Sequence, residues 1–217
     1  MDCAKVEESA LNKITTNHTN PIKMFEEWYK NYLDSNPEEP MFTAGCLSTA
    51  SKNGNVTSRN LLLKRLDEDG FVMMTDNRSY KFKVITENPQ VSLVFLWNQF
   101  MPEGLLSRQV RIYGFVKKLA NEETEKLYED DPIFAKIRSY ICESGKPEEW
   151  DSLKAQHDEL LRKIENNEIE LKKPDHIVSF KIFPQYMDFY ETCGKRIADR
   201  LLYTKSDSTW KISRLAA

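Results

Sequence analysis

Arg59-Asn60-Leu61-Leu62-Leu63-Lys64 is an apolar run with a cation at each end. A soluble strand has no folding reason to carry that pattern, which reads as a strand holding an anion at either end. Downstream, Gly70-Phe71-Val72-Met73-Met74-Thr75 reads as a second strand that breaks at Asp76-Asn77 and enters a helical pattern near Ser79 and Lys81. A helix start presents unpaired N–H groups and the positive end of its dipole, and so favours phosphate. Arg59, Ser79 and Lys81 are thereby expected to converge on one phosphate, leaving Lys64, several residues along the strand, for a second anionic group. That arrangement suits a phosphorylated cofactor beside an anionic substrate.

Outward from this core, short segments rich in β-branched and aromatic residues cover 42–49, 56–64, 71–75, 91–97 and 109–119. The turn Ser51-Lys52-Asn53-Gly54-Asn55 makes the first two a hairpin. Residues 79–87 form a short helix stopped by Asn88-Pro89. Many short strands around one helix predict a closed antiparallel barrel. Upstream, Asn20-Pro21 is an N-cap followed by a proline, and Ile22, Phe25, Trp28, Tyr29 and Tyr32 make the apolar face of a helix ending before Asn36-Pro37. Downstream, 121–167 is helical and divided by Asp131-Pro132 and Lys146-Pro147, with His157 a packed or capped residue on an apolar stripe. Strands return at 177–183, 186–190, 201–204 and 210–215. The expected organisation is a flexible arm over residues 1–19, able to serve as a lid, and a single domain over 20–217. Within it the barrel core covers about 41–119, the helical segment about 121–171 and the C-terminal strands about 176–215.

With 217 residues, 40% hydrophobic and 11% aromatic, the chain has the means to bury one substantial core. A net charge of −3 with both signs interspersed leaves no basic face for a nucleic-acid backbone. No apolar run approaches the roughly 20 residues that span a bilayer, so neither membrane insertion nor secretion is expected. Cys3, Cys46, Cys142 and Cys193 are scattered without a C-x-x-C pair, which suits a reduced, cytoplasmic protein. His18, His157 and His176 have no metal-ligand spacing, and no metal site is expected.

The ordered pieces R-x-x-L-L-K (Arg59 to Lys64), Gly70-Phe71 leading to Thr75, Ser79 with Lys81, Glu87-Asn88-Pro89, Arg108-Gln109-Val110, Arg196-Ile197-Ala198-Asp199-Arg200, Trp210 and Arg214-Leu215-Ala216 together resemble the pyridoxamine 5′-phosphate oxidases. The resemblance runs from about Pro21 to Ala217. It implies a mainly β fold with α, an antiparallel, Greek-key-like FMN-binding split β-barrel with flanking helices, assembled as a homodimer around a small-molecule substrate. By it, Arg59 and Lys81 would hold the FMN phosphate beside Ser79, a residue that serves equally as an ordinary N-cap. The strand through Asn60, Leu61, Leu62, Leu63 and Lys64, together with Met74, would line the cofactor. Thr75 and Gln109 would hydrogen-bond the flavin, and Ser144, Tyr190 and Arg200 would complete the pocket. Lys64 would reach the substrate phosphate and Arg196 would cover the substrate ring. These two are the implied catalytic and substrate-binding pair. From the residues alone, Arg196 and Arg200 also suit surface pairing with Asp199 or Glu191.

The implied activity is oxidation of pyridoxine or pyridoxamine phosphate to pyridoxal 5′-phosphate, with oxygen as acceptor. Departures gather at the substrate end. Tyr80 stands where the family has a cation, which would weaken FMN affinity. Leu127, Asp131 and Ala135 stand for a Tyr, an Arg and a Ser, so a phosphate would meet a carboxylate. Ala198 replaces a His, Ser144-Gly145 a Q-S pair and Ile177-Val178-Ser179 a W-G-G segment, and the loop 98–106 is several residues longer than usual. Two other functions therefore stay open: a flavin enzyme with a different substrate, and a non-catalytic paralogue that binds flavin or pyridoxal phosphate.

Overall fold

A computed structural model of the chain describes residues 11–36 and 44–217. The start of the 42–49 strand, Cys3 and the first ten residues of the expected arm lie outside the described residues. Helix α1 (Pro21–Ser35) starts where the sequence places it: Asn20 accepts a hydrogen bond from the Ile22 N–H, and proline occupies the first turn. Its Ile22, Met24, Phe25 and Trp28 are buried. The Phe25 ring lies 4.9 Å from Phe71, 5.0 Å from Phe95 and 5.3 Å from Trp97, and Trp28 lies 5.2 Å from Phe189. Such aromatic pairs add about 0.5–1.5 kcal/mol each beyond area burial, so α1 is fastened into the core by its rings.

The strands are β1 (Ala44–Ala50), β2 (Val56–Leu62), β3 (Arg65–Asp67), β4 (Gly70–Asp76), β5 (Gln90–Met101), β6 (Gly104–Lys118), β7 (Ile177–Cys193), β8 (Asp199–Ser206) and β9 (Thr209–Leu215). They form one antiparallel sheet in the order β2-β1-β5-β6-β7-β4-β3, with β8 on β7 and β9 on β8. β2 and β3 are consecutive in the chain yet stand at opposite ends of that order. The ribbon that leaves β1 at Leu62 therefore rejoins the sheet against β4 and closes it. Lys64 sits at this corner, its backbone N–H donating to the Val72 carbonyl at 2.9 Å. The expected strand 56–64 accordingly ends at Leu62, and Leu63-Lys64 form the corner where the chain changes partner before β3.

Helix α2 (Tyr80–Glu87) follows β4 and packs on β1. α3 (Asn121–Glu129), α4 (Ile133–Ile141) and α5 (Trp150–Glu165) follow β6 and are separated at the two Asp-Pro and Lys-Pro breaks. None of the residues of α5 is fully buried, and His157 is half-exposed beside Asp158. It is a surface residue, because α5 covers α4 rather than the barrel.

Three further departures from the sequence reading have physical causes. The segment 98–106 is no loop: β5 and β6 stay paired out to Met101 and Gly104. The segments 177–183 and 186–190 are one strand, β7, whose Pro184 sits at a register shift opposite Tyr113 and Gly114. A bulge is where a strand tolerates a residue lacking an N–H. Residues 11–19 of the expected arm are held to the barrel. Leu11 bridges Ile197, the Asn12 N–H donates to the Ile197 carbonyl at 2.8 Å, the Ile14 N–H donates to Asp199 at 2.7 Å, and Arg214 donates to the Ile14 carbonyl at 3.1 Å. Among the described residues no helix is long and apolar enough to cross a membrane.

Candidate active site

β2 sets the first cation. Its residues alternate between an exposed and a half-buried face, and Arg59 falls on the half-buried one with Thr57 and Leu61, while Asn60 and Leu62 point outward. Leu61 and Leu63 pack against the core. The Arg59 guanidinium donates to the Leu47 carbonyl at 3.2 Å and to the hydroxyls of Thr49 at 2.9 Å and Thr57 at 2.5 Å. These acceptors fix the fork without neutralising it, which leaves its charge for a ligand. Burial holds the Arg59 pKa below its ordinary value.

α2 brings the second cation. Ser79 is the buried N-cap residue, but its hydroxyl donates to the Asp76 carbonyl at 2.6 Å and braces the turn out of β4 instead of capping the helix. The first turn of α2 holds no acidic residue, so nothing within that turn offsets the positive end of its dipole. Lys81 lies in that turn. Burial foremost, then the Arg59 charge, holds its ammonium below the ordinary lysine range, with Arg138 of α4 adding to the depression and Asp76 opposing it. Arg59 and Lys81 thus share one field. Burial pushes the Asp76 carboxyl up, but hydrogen bonds from Arg78 at 2.6 to 3.1 Å outweigh it and keep it low. Tyr80 is exposed and adds no charge.

At the end of β4, five residues before α2 begins, Thr75 lies opposite Val178 and is buried, with Met74 half-buried opposite Ser179. The Thr75 hydroxyl has no hydrogen-bond partner among the described residues. A buried hydroxyl left unpaired costs about 1–3 kcal/mol, a cost that a polar ligand atom removes.

Lys64 meets a carboxylate. Its ammonium is ion-paired with Asp131, in the α3–α4 connection, the two side chains being 21% and 7% exposed. Arg196, its expected companion, stands exposed in the turn between β7 and β8 and is not among the groups that Lys64 meets.

Gln109, Tyr190 and Arg200 form one cross-strand row over β6, β7 and β8. Arg200 binds Asp188 at 2.6 Å and the Ala216 carbonyl at 3.3 Å. Asp188, buried, also receives Arg111, and its hydrogen bond is the main reason that the Arg200 pKa is raised. The Arg200 guanidinium therefore takes neither of the partners its sequence neighbourhood offers, although its backbone N–H donates to Asp199 at 2.9 Å. The Asp199 carboxylate is held by Arg214 at 3.1 Å and by the Ile14 N–H, and the Glu191 carboxylate by Arg108 at 2.7 Å and Asn12 at 2.8 Å. Ser144 lies exposed on the loop after α4, which Arg78 ties to the β4–α2 turn through the Cys142 carbonyl at 3.0 Å.

Arg138, the threonines that orient Arg59, and Asp188 were not singled out by the sequence. Thr57 alternates with Arg59 on one strand face and was the one findable signal. Arg138 and Asp188 reach their neighbours only through long-range packing. Two surface hollows, of about 550 Å³ around Tyr113, Pro184 and Tyr186 and about 380 Å³ around Asn121, Thr124 and Asp175, contain none of the expected site residues.

Comparison with known proteins bears on the family and the fold. Residues 38–164 match the family model described as pyridoxamine 5′-phosphate oxidase, and residues 178–217 match the pyridoxine 5′-phosphate oxidase C-terminal dimerisation region. The chain is 32% identical over 209 residues to the pyridoxine/pyridoxamine 5′-phosphate oxidase of Trichormus variabilis, covering 95% of this chain and 92% of that one. It is 35% identical to the protein of the same name from Rippkaea orientalis over 201 residues, 92% and 90% of the two chains. Among solved structures, PhzG from Burkholderia lata, in complex with tetrahydrophenazine-1-carboxylic acid, superposes with a TM-score of 0.80 at 23% identity, over 95% of this chain and 99% of that one. An FMN-binding, pyridoxamine 5′-phosphate oxidase-related protein from Nostoc punctiforme gives a TM-score of 0.69 at 18% identity, over 89% and 97%. At those identities the two structures speak for the fold, a split β-barrel, while the sequence matches speak for kinship. The chain belongs to the pyridoxamine 5′-phosphate oxidase family.

Proposed function

We propose that the protein is an FMN-dependent oxidase of the vitamin B6 type, which oxidises the carbon bearing the hydroxyl or amine of a pyridine substrate with oxygen as acceptor. The observation that carries this reading is the field shared by Arg59 and Lys81 at the start of α2, together with the buried, unpartnered Thr75 hydroxyl at the end of the strand that leads into that helix. One polar ligand with a phosphate tail answers both needs.

In this reading Arg59 and Lys81 bind the phosphate dianion, with Arg138 contributing charge in place of the cation absent at Tyr80. Thr75 donates to a polar edge of the ring system. Asn60, Leu61, Leu62, Leu63 and Met74 line the cofactor's length, and Gln109, Ser144, Tyr190 and Arg200 complete the pocket. FMN, when bound, would supply the hydride acceptor and the route by which the electrons reach oxygen. The protein's own residues hold, orient and cover: Arg196 covers the substrate ring, and Lys64 with Asp131 sets what the distal arm of the substrate carries. Lys64 and Arg196 belong to different neighbourhoods of one chain, and the C-terminal match to a dimerisation region supports a homodimer in which each site draws on both copies.

A second reading, a flavin enzyme with another substrate, is favoured by one observation, the ion pair between Lys64 and Asp131. The test of the main reading is direct. Protein purified from cells should be yellow, and pyridoxamine or its phosphate should bleach the flavin under anaerobic conditions. A colourless protein with no thermal shift on added FMN refutes the proposal, and flavin that neither vitamer bleaches refutes the B6 assignment.

A further inference from the structure

We infer that Asp131 determines substrate specificity by occupying the anion position at Lys64 with the protein's own carboxylate, so that the site takes a pyridine substrate whose distal arm ends in a neutral hydroxyl rather than a phosphomonoester. The inference rests on the flavin reading above and names the substrate class for that site.

The geometry is that of a filled position. Lys64 lies at the corner where β2 passes into β3, at most roughly 16 Å of extended chain from Arg59. Arg59, in the middle of β2, and the Lys64–Asp131 pair, at the corner just beyond its end, thus stand apart along one stretch of chain. Asp131 is the more deeply buried of the two, and its backbone N–H donates to the Tyr128 carbonyl at 3.1 Å. The carboxylate is therefore fixed in place by the turn between α3 and α4, with Pro132 locking the next residue. The nearby hydroxyls of Tyr128 and Ser139 are bonded to each other at 2.9 Å. Leu127 and Ala135, one turn away on either helix, offer no donor.

Within the pair the two charges cancel. A phosphate dianion approaching Lys64 meets Asp131, and accommodating it requires breaking a partly buried ion pair and leaving the carboxylate uncompensated. A hydroxyl has no such conflict. An ammonium carries three N–H donors and a carboxylate several lone-pair sites, so a hydroxyl accepts from Lys64 and donates to Asp131 while the pair stays intact.

The test uses full-length protein with its flavin content recorded first, and calorimetric titration of pyridoxal and pyridoxal 5′-phosphate, which bind without turnover. The wild type should bind pyridoxal at least about 100-fold more tightly than its phosphate, because like charges in a desolvated site exclude each other. Asp131→Asn should shrink that ratio at least about tenfold by gaining affinity for the phosphate, and Asp131→Glu, which keeps the charge, should retain the preference. Equal or tighter binding of the phosphate by the wild type, binding of neither ligand, or an unchanged ratio in a folded Asp131→Asn protein overturns the inference. If Asp131→Asn does not fold, the wild-type ratio and Asp131→Glu decide. Loss of the flavin reading shows separately, as protein that neither carries nor takes up flavin.

Discussion

Lys81 illustrates how the site's chemistry opposes its stability. Its folded pKa lies below the ordinary lysine value, burial being the larger cause and Arg59 the next. The folded state therefore binds that proton less tightly than the unfolded chain does, and at neutral pH the charged ammonium costs stability until an anion arrives. We predict that Lys81→Met raises the melting temperature of flavin-free protein by about 2–4 °C for each ~1 kcal/mol relieved. The same change should weaken FMN binding by about 10- to 150-fold, the value of one charge-assisted hydrogen bond. A variant less stable than wild type without flavin would contradict the assignment. Asp67 works in the opposite sense: hydrogen bonds from Arg65 foremost, then Lys181, hold its carboxyl below the ordinary value despite burial. Its contribution is present above a pH of about 4 and disappears as pH falls through the lower folded value. Urea midpoints of wild type and Asp67→Asn should therefore differ at pH 7 and converge in acid. Arg59 and Lys81 were legible in the sequence because a strand end and a helix start are local patterns. Arg138 was not, since only the docking of α4 near α2 brings it within range.

At the level of elements, α1 was readable to its ends because Asn20-Pro21 and Asn36-Pro37 encode start and stop locally. The corner at Leu63-Lys64 and the continuity of β7 through Pro184 were not, because each depends on which strand lies opposite. The extended β5–β6 hairpin is a further case. Its Gly104, at φ +122, packs so closely on Gly194 that an added Cβ would lie 2.7 Å from the Gly194 Cα, whereas Gly54, at φ +83, faces open space. Gly104→Ala should thus cost more than Gly54→Ala, about 2–3 against about 1 kcal/mol by urea denaturation. Equal costs would mean that the hairpin does not rest on the turn preceding Arg196. Phe100, 91% exposed near the hairpin tip, contributes nothing to the core and serves as a neutral control for substitution there.

For the whole molecule, barrel closure was foreseeable from many short strands, but the division of the site was not. Arg59 and Lys81 share one field, and Gln109, Tyr190 and Arg200 form a row elsewhere, on β6, β7 and β8, because chain order does not say which strands come to lie together. If two copies share each site, melting temperature should rise with protein concentration, and a concentration-independent value would argue for a monomer. On the proposed reading, Arg59 and Lys81 hold a flavin by its phosphate. Equilibrium titration with FMN and with riboflavin, which differ only in that phosphate, tests it most directly. We predict that the wild type binds FMN at least about 100-fold more tightly than riboflavin, and that Arg59→Met removes most of the difference. Equal affinity for the two flavins, or binding of neither, would contradict it.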